Sequence, residues 1–475
     1  MRHRLFIDHG WVEPTGGAHF ATIDPATEEP IAEIARGGAP DIDRAVRAAD
    51  AAMKGPWSRL APAERGALLF KLADAVAANR EELARLETLD VGKPLKDSLG
   101  DVDGVVTTLR YNAGAADKMQ GETIPLGPDV VDFTLLEPLG VTAHIVPWNF
   151  PLGMAIRSLA PALAAGCTAV LKPAEQSSLS ALKFAELLPD AGFPKGVVNV
   201  VTGYGEEAGE ALVRHPLVRG ITFTGSVETG RKILAGAAPG IKPVVLELGG
   251  KNPMIVFADA DLDRAVADAL AGSFENCGQV CSSSSRYLLE PAIREDFLGM
   301  LAAKAEALNV GPGMDNPDIG PIVSSEQYEK VTGYVARGSA DGARLRTGGN
   351  RPRHLQRGYF IAPTIFDRVD PSAAIAREEI FGPVGVALDI EGEEQAVGLA
   401  NGLGYGLAAG IYTSDISRAL RLARRIQAGS IWINGWWMGG VQAPTGGMKD
   451  SGIGRERGLA GIRNYLQIKN VAIRL

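Results

Sequence analysis

Cysteine is scarce in this chain, with three among 475 residues, at positions 167, 277 and 281. A small, odd number suits a reducing compartment and excludes a disulfide framework as the source of stability. Histidine is also sparse. His3, His9, His19, His144, His215 and His354 stand without ligand spacing, so neither a zinc hydrolase nor any other metal centre is expected. No stretch reaches the roughly 18 consecutive apolar residues of a membrane helix. The opening "MRHRLFIDHG" breaks its apolar run at Asp8 and His9, so no secretory signal is expected and the cytoplasm is the expected location. A basic block is missing too. Lys plus Arg number 48 against 56 Asp plus Glu, a net charge of −8 spread along the chain. That balance argues against nucleic acid or a membrane surface as partner.

What is present is the composition of a globular protein, 46% hydrophobic and 22% charged, long enough for two or three domains. Between residues 141 and 250 short β-rich runs end in Gly or Pro: "VTAHIVPW", "TAVLKP", "GVVNVVTG", "GITFTGS" and "KPVVLELGG". Helical patterns alternate with them, at 179–192, 205–216 and 228–238. This alternation predicts βαβ units and a mostly parallel sheet, with ligands at the carboxyl ends of the strands. Residues 61–93 read as an amphipathic helical cover, and residues 253–435 as a second α/β region. The tail "LQIKNVAIRL" reads as an exposed strand able to pair with another chain.

Glycine clusters give weaker signals. In "GYGEEAG" (203–209) the glycines at 203, 205 and 209 are spaced one residue wider than the usual dinucleotide fingerprint. "GSVETGRK" (225–232) has phosphate-loop spacing, but Arg231-Lys232 replaces the Lys-Ser/Thr pair, so an ATPase is not supported. "FTGS" ends a strand where a helix begins, a place that favours an anion. Each cluster alone reads first as an ordinary tight turn.

A longer pattern is more specific. "PWNFP" (147–151), "LKPAEQ" (171–176), "FTGSVETG" (223–230), "LELGGKNP" (246–253), "FENCGQVC" (274–281), "EEIFGPV" (378–384) and "SGIGRERG" (451–458) follow one another in order. Together they resemble the aldehyde dehydrogenase superfamily over essentially the whole chain. The resemblance implies an α/β fold: a Rossmann-type nucleotide-binding domain (1–118 and 139–250), an α/β catalytic domain (251–450), and a small β oligomerisation element (119–138 and 451–475).

It also implies a chemistry. The nucleophile would be Cys281, whose thiolate adds to an aldehyde to give a thiohemiacetal and then a thioester. Cys277 and Cys167 would be small buried residues. Asn149 and the Cys281 backbone N–H would hold the oxyanion. Glu247 would be the general base, its carboxyl raised by desolvation at the end of an apolar strand, and its presence favours hydrolysis to the free acid. The cofactor would be NAD, with NADP as an alternative, held by Val146, Trp148, Lys172, Glu175, Gly205, Gly225, Ser226, Glu379 and Phe381. Glu175 leans toward NAD because a carboxylate accepts from a 2′-hydroxyl and repels a 2′-phosphate. Homodimer and homotetramer are both compatible with the resemblance.

Departures from the family pattern cluster at the expected substrate pocket, formed by Gly104, Phe150, Arg157, Val280, Trp437 and Thr445. Arg157-Ser158 stands where a residue followed by Lys is common, which puts a proton relay through Glu456 in doubt. Arg157 could anchor a distal carboxylate, as in semialdehyde dehydrogenases, or pair with an internal acid such as Glu275. Thr445 replaces a pocket aromatic ring, Gly104 and Gly439 open space, and Trp436, Trp437 and Met438 supply apolar surface. The expectation is a roomy pocket for a bulky aldehyde, aromatic ones included. The alternatives are a semialdehyde dehydrogenase and, from another class, a non-catalytic binding descendant. Cys277 and Cys281 are close enough in sequence to suggest a reversible disulfide.

Overall fold

The computed structural model describes residues 2–475 and builds two large sheets. In the first, the strands Val244–Leu248, Val218–Gly225, Val141–Ile145, Thr168–Lys172 and Val198–Val200 lie side by side and parallel. Antiparallel strands close its edges: Gly452–Ile453 beside Val244–Leu248, and the Leu5–Ile7/Gly10–Val12 hairpin beside Val198–Val200. The residues of Val141–Ile145 and Thr168–Lys172 are all buried, as parallel strands covered on both faces must be. The expected β-rich runs therefore do form a parallel sheet.

The second sheet has seven strands, in the order Arg344–Thr347, Thr364–Asp367, Val384–Asp389, Arg286–Leu289, Pro253–Val256, Ala408–Tyr412 and Ser430–Ile433. Only the edge strand Arg344–Thr347 runs antiparallel. A third, antiparallel sheet joins Thr123–Ile124, Val130–Pro138 and Leu466–Arg474. One boundary expected from the sequence shifts here. Gly452–Ile453 belongs to the first sheet and helix Gly458–Arg463 has buried Gly458, Gly461 and Ile462, so within 451–475 it is 466–474 that pairs with Val130–Pro138.

The expected helical cover is two helices, Pro62–Ala78 and Arg80–Val91, broken at Asn79. Helix Pro151–Ala165 differs in kind from these. All its residues except Gly153 and Met154 are buried, and Gly166 stops it with a left-handed φ of 97°. Proline at its first position has no N–H to leave unsatisfied, which fixes where the "PWNFP" turn ends. This buried helix carries Arg157.

The loop bearing Thr445 is pressed against the strand Ser430–Ile433. A Cβ on Gly429 would lie 1.6 Å from the Gly446 carbonyl oxygen, so no side chain fits there. Gly429→Ala is expected to cost on the order of 2 kcal/mol through backbone displacement, measurable as a lower unfolding temperature. An unchanged transition would contradict this close approach.

Candidate active site

The loop Glu275–Gly278 is built from consecutive left-handed residues: Asn276 (φ 48°), Cys277 (φ 57°) and Gly278 (φ 69°). Non-glycine residues adopt that conformation only when surroundings dictate it. Here the surroundings are explicit. Asn276 Nδ2 donates to the Asn149 carbonyl at 2.9 Å, and Asn149 Nδ2 donates to the Gln279 carbonyl at 2.8 Å. Gln279 in turn donates to the Asn276 carbonyl at 3.0 Å and accepts from Val323 N at 2.9 Å. Asn252 Nδ2 holds the carbonyls of Cys281 and Ser283 at 2.8 and 2.9 Å. The "PWNFP" turn and the cysteine loop are thus tied to one another directly.

Cys281 emerges from this loop with its thiol donating to Glu247 Oε1 at 3.2 Å. Glu247 is placed by the strand Val244–Leu248, paired with Thr224 on one side and Gly452 on the other. Burial raises the Glu247 carboxyl above its ordinary range, with Arg157 opposing that rise. Burial and then the Glu247 charge push the Cys281 thiol well above the usual thiol range. Both shifts disfavour the charged forms, and the thiol donates its hydrogen to the carboxylate. The Glu247 Oε2 and Asn149 Oδ1 atoms are buried without a hydrogen-bond partner.

Two cavities meet at this pair. The larger, about 570 Å³, is lined by Gly104, Phe150, Arg157, Glu247, Val280, Cys281, Trp437 and Thr445, with Val105, Met154, Ile431, Trp432 and Met438 adding apolar wall. Asp101 and Glu275 also line it. Trp437 donates its indole N–H to Ser282 Oγ at 2.8 Å, pinning the wall to the residue after Cys281. Every residue expected in the substrate pocket is therefore brought together.

The smaller cavity, about 160 Å³, is lined by Trp148, Asn149, Gly225, Ser226, Glu247, Cys281, Glu379 and Phe381. Glu379 Oε1 accepts from Gly250 N at 2.9 Å, and burial raises its carboxyl to about 7. Phe381 holds a left-handed φ of 58° and meets Trp148 edge-on at 5.3 Å. Ser226 caps helix Val227–Ala237, its hydroxyl accepting from Thr229 N at 3.2 Å. Lys172 and Glu175 pair with each other at 3.1 Å outside this cavity. Val146, whose N–H donates to the Lys172 carbonyl at 3.2 Å, is likewise outside it. Gly205 is exposed at the start of the turn Gly205–Gly209.

Two expectations change. Arg157 does not pair with Glu275; its guanidinium forms a buried ion pair with Glu456. The reason is geometric. The bridge between Thr445 and Glu456 (N–H to O at 2.8 and 2.7 Å) carries Glu456 inward against helix Pro151–Ala165. Glu275 instead lies near Asp101 and Asp97, which with burial raise its carboxyl to about 7. The reversible disulfide suggested for Cys277 and Cys281 is the second: Cys277 is buried as expected, 1% exposed in the apolar core of the second sheet, both thiols are free, and Cys277 lines neither cavity that Cys281 reaches.

Several residues escaped the sequence reading. Asn276 and Gln279, inside "FENCGQVC", act through side-chain bonds to backbone that no spacing rule reports. Gln327 donates to the carbonyls of Ile380 and Phe381 at 3.0 and 2.8 Å, and Lys330 and Arg457 line the cavities from distant segments.

Comparison with known proteins agrees with this geometry. Residues 11–471 match the profile described as "Aldehyde dehydrogenase family". The chain is 48% identical to the hydroxyisobutyraldehyde dehydrogenase of Mycolicibacterium austroafricanum over 99% of this chain and 94% of that protein. It is 44% identical to retinaldehyde dehydrogenase 3 of Homo sapiens over 99% and 93%. The NAD+ complex of an aldehyde dehydrogenase from Bacillus cereus superposes with a TM-score of 0.98 at 44% identity, covering 100% of this chain and 97% of that one.

The three thiols differ enough in surroundings to be told apart chemically. Iodoacetamide is expected to alkylate Cys281 alone in the folded chain, faster as pH rises toward and beyond the ordinary thiol range. Peptide mapping by mass spectrometry after brief labelling reads this out; equal labelling of Cys277 would contradict the assigned burial.

Proposed function

The chain belongs to the aldehyde dehydrogenase family, and we propose that it oxidises a bulky, uncharged aldehyde, aromatic ones included, to the carboxylic acid with NAD. The observation that carries this reading is the Cys281 thiol donating to Glu247 at the junction of the two cavities. Glu247 takes the thiol proton as the thiolate adds to the aldehyde carbonyl. Negative charge then builds on the former carbonyl oxygen. Asn149 Nδ2 has a second hydrogen beyond the one bound to Gln279, and with the Cys281 backbone N–H it meets that charge. Once Glu247 has released the thiol proton to solvent through the cavity, its Oε2, free of other bonds, orients and deprotonates the water that releases the acid from the Cys281 thioester.

The cofactor residues fit NAD. A Cβ on Gly249 would sit 2.2 Å from a Glu379 carboxylate oxygen, so only glycine leaves that carboxylate room beside the cleft. Glu379 and Phe381 would hold the nicotinamide ribose and ring, and Gly225 with Ser226 at the helix start would face the pyrophosphate. Lys172 and Glu175 would hold the adenosine ribose, Glu175 favouring NAD over NADP. NAD, when bound, supplies the hydride acceptor for the oxidation.

The substrate class rests on volume, wall and charge. A cavity of about 570 Å³ walled by Phe150, Trp432, Trp437 and Ile431 suits a large apolar group. Arg157 is paired with the buried Glu456, which weighs against its serving as the anchor of a substrate carboxylate. This favours an uncharged aldehyde over the semialdehyde reading. NADH formation from aliphatic, aromatic and carboxylate-bearing aldehydes tests this: aromatic and long aldehydes should turn over best. Cys281→Ala should abolish turnover, and Glu247→Gln should lower kcat by about 10²- to 10⁴-fold. Preference for the carboxylate-bearing aldehyde would overturn the substrate assignment.

The chain is further proposed to act as a homodimer or homotetramer through the sheet of Val130–Pro138 and Leu466–Arg474. That sheet exposes Ile468 (74%), Ile473 (46%) and Leu135 (42%), apolar surface that a second copy would cover. Light scattering is expected to give the mass of two or four chains; Ile468→Lys should reduce it.

A further inference from the structure

The ion pair of Arg157 and Glu456 is the one pair of opposite charges buried directly beside the nucleophile among the described residues. Arg157 is 7% exposed and Glu456 5% exposed. Each is fixed by its own element: Arg157 by the buried helix Pro151–Ala165, Glu456 by its backbone bridge to Thr445. Arg157 lines the same cavity wall as Glu247 and Cys281, and its Nη2 atom is buried without a hydrogen-bond partner. The hydroxyl of the neighbouring Ser158 bonds back to the Ala155 carbonyl at 3.1 Å, so it offers nothing to Glu456.

Resting on the dehydrogenase reading above, we infer that Arg157 and Glu456 work as one fixed, opposed-charge unit that sets the electrostatic balance at Glu247 and Cys281. Arg157 is thus a positioning residue and not the anchor of a substrate carboxylate. An arginine stays protonated throughout the working range and cannot pass a proton along, so the pair acts by field alone. The charged groups bearing on Glu247 are Arg157 from its helix, Glu456 and Arg457 from the segment after Gly452–Ile453, and Cys281 from the opposite sheet. Cys281 is in addition influenced by Glu379. Arg157 favours the ionised forms of both Glu247 and Cys281, whereas Glu456 disfavours ionised Glu247.

The two halves of the unit must therefore act in opposite directions. Removing the cation in Arg157→Met leaves Glu456 uncompensated, so both reactive groups hold their protons more tightly. The acid limb of the kcat/KM profile should move up by about one pH unit, a roughly tenfold loss at a fixed pH on that limb. Removing the anion in Glu456→Gln leaves Arg157 unopposed, and the limb should move down. Arg157→Met combined with Glu456→Gln should return toward the parent, and Arg157→Lys, which keeps the charge, should stay near it.

The experiment is the pH profile of NADH formation for these variants with an aromatic and a carboxylate-bearing aldehyde. Beside it runs the pH dependence of iodoacetamide alkylation of Cys281 in the same chains without aldehyde or NAD. Opposite shifts in both readouts support the unit. Shifts of the same sign, or none, overturn it, as does a loss in Arg157→Met confined to KM for the carboxylate-bearing aldehyde. If the parent oxidises no aldehyde, the function assigned above fails, while the alkylation profiles still decide the electrostatic role. Should Arg157→Met not fold, Glu456→Gln against Arg157→Lys carries the same test: a downward shift only in the former is required.

Discussion

The site depends on an exchange of amide hydrogen bonds between two loops. Asn149 gives a hydrogen to the carbonyl of Gln279, and Asn276 gives one back to the carbonyl of Asn149. One loop belongs to the first sheet and the other to the second, so this exchange fixes the thiol, the carboxylate and the Asn149 amide in one frame. The left-handed backbone at 276–278 is the cost of aiming Cys281 at Glu247, and the bonds through Gln279 and Asn252 offset it. Both asparagines also spend only part of their hydrogen-bonding capacity on structure. Asn149 lines the smaller cavity, whereas Asn276 lines neither cavity that Cys281 reaches.

Burial supplies the second half of the chemistry. In water Glu247 would be ionised and Cys281 mostly protonated; here burial raises both groups, and the thiol donates to the carboxylate. The Arg157–Glu456 pair lies inside this field without neutralising it, because its two ends stand on different elements at different approaches to the carboxylate. A buried pair of this kind contributes little to net stability. Its position beside the reacting groups is the better explanation for its presence.

The alternation of β-rich runs and helices was enough to place the parallel sheet, because covered strands leave a continuous apolar signature at Val141–Ile145 and Thr168–Lys172. The short motifs pointed to the residues around both cavities, since a strand end, a tight turn and a helix start each demand particular residue types. Pairings between distant side chains were not legible. Arg157 finds Glu456 because a two-residue bridge turns residue 456 inward, and no local pattern announces such a bridge. Glu275 was a reasonable partner by proximity to the nucleophile, but it faces Asp97 and Asp101. The short strand Gly452–Ile453 was missed for a similar reason, being too brief to carry a periodicity and defined by its neighbour alone.

The placement of the strand Leu466–Arg474 has a consequence for how the protein is made. Its partner, Val130–Pro138, leaves the ribosome hundreds of residues earlier and can pair along that edge only once synthesis has nearly finished. Until then a nine-residue strand carrying Val131 and Leu135 waits with an open edge. Glu456 arrives in the same late stretch. The nascent chain therefore holds Cys281 and Glu247 before it holds the charge that pairs with Arg157, so that buried pair is among the last contacts translation delivers.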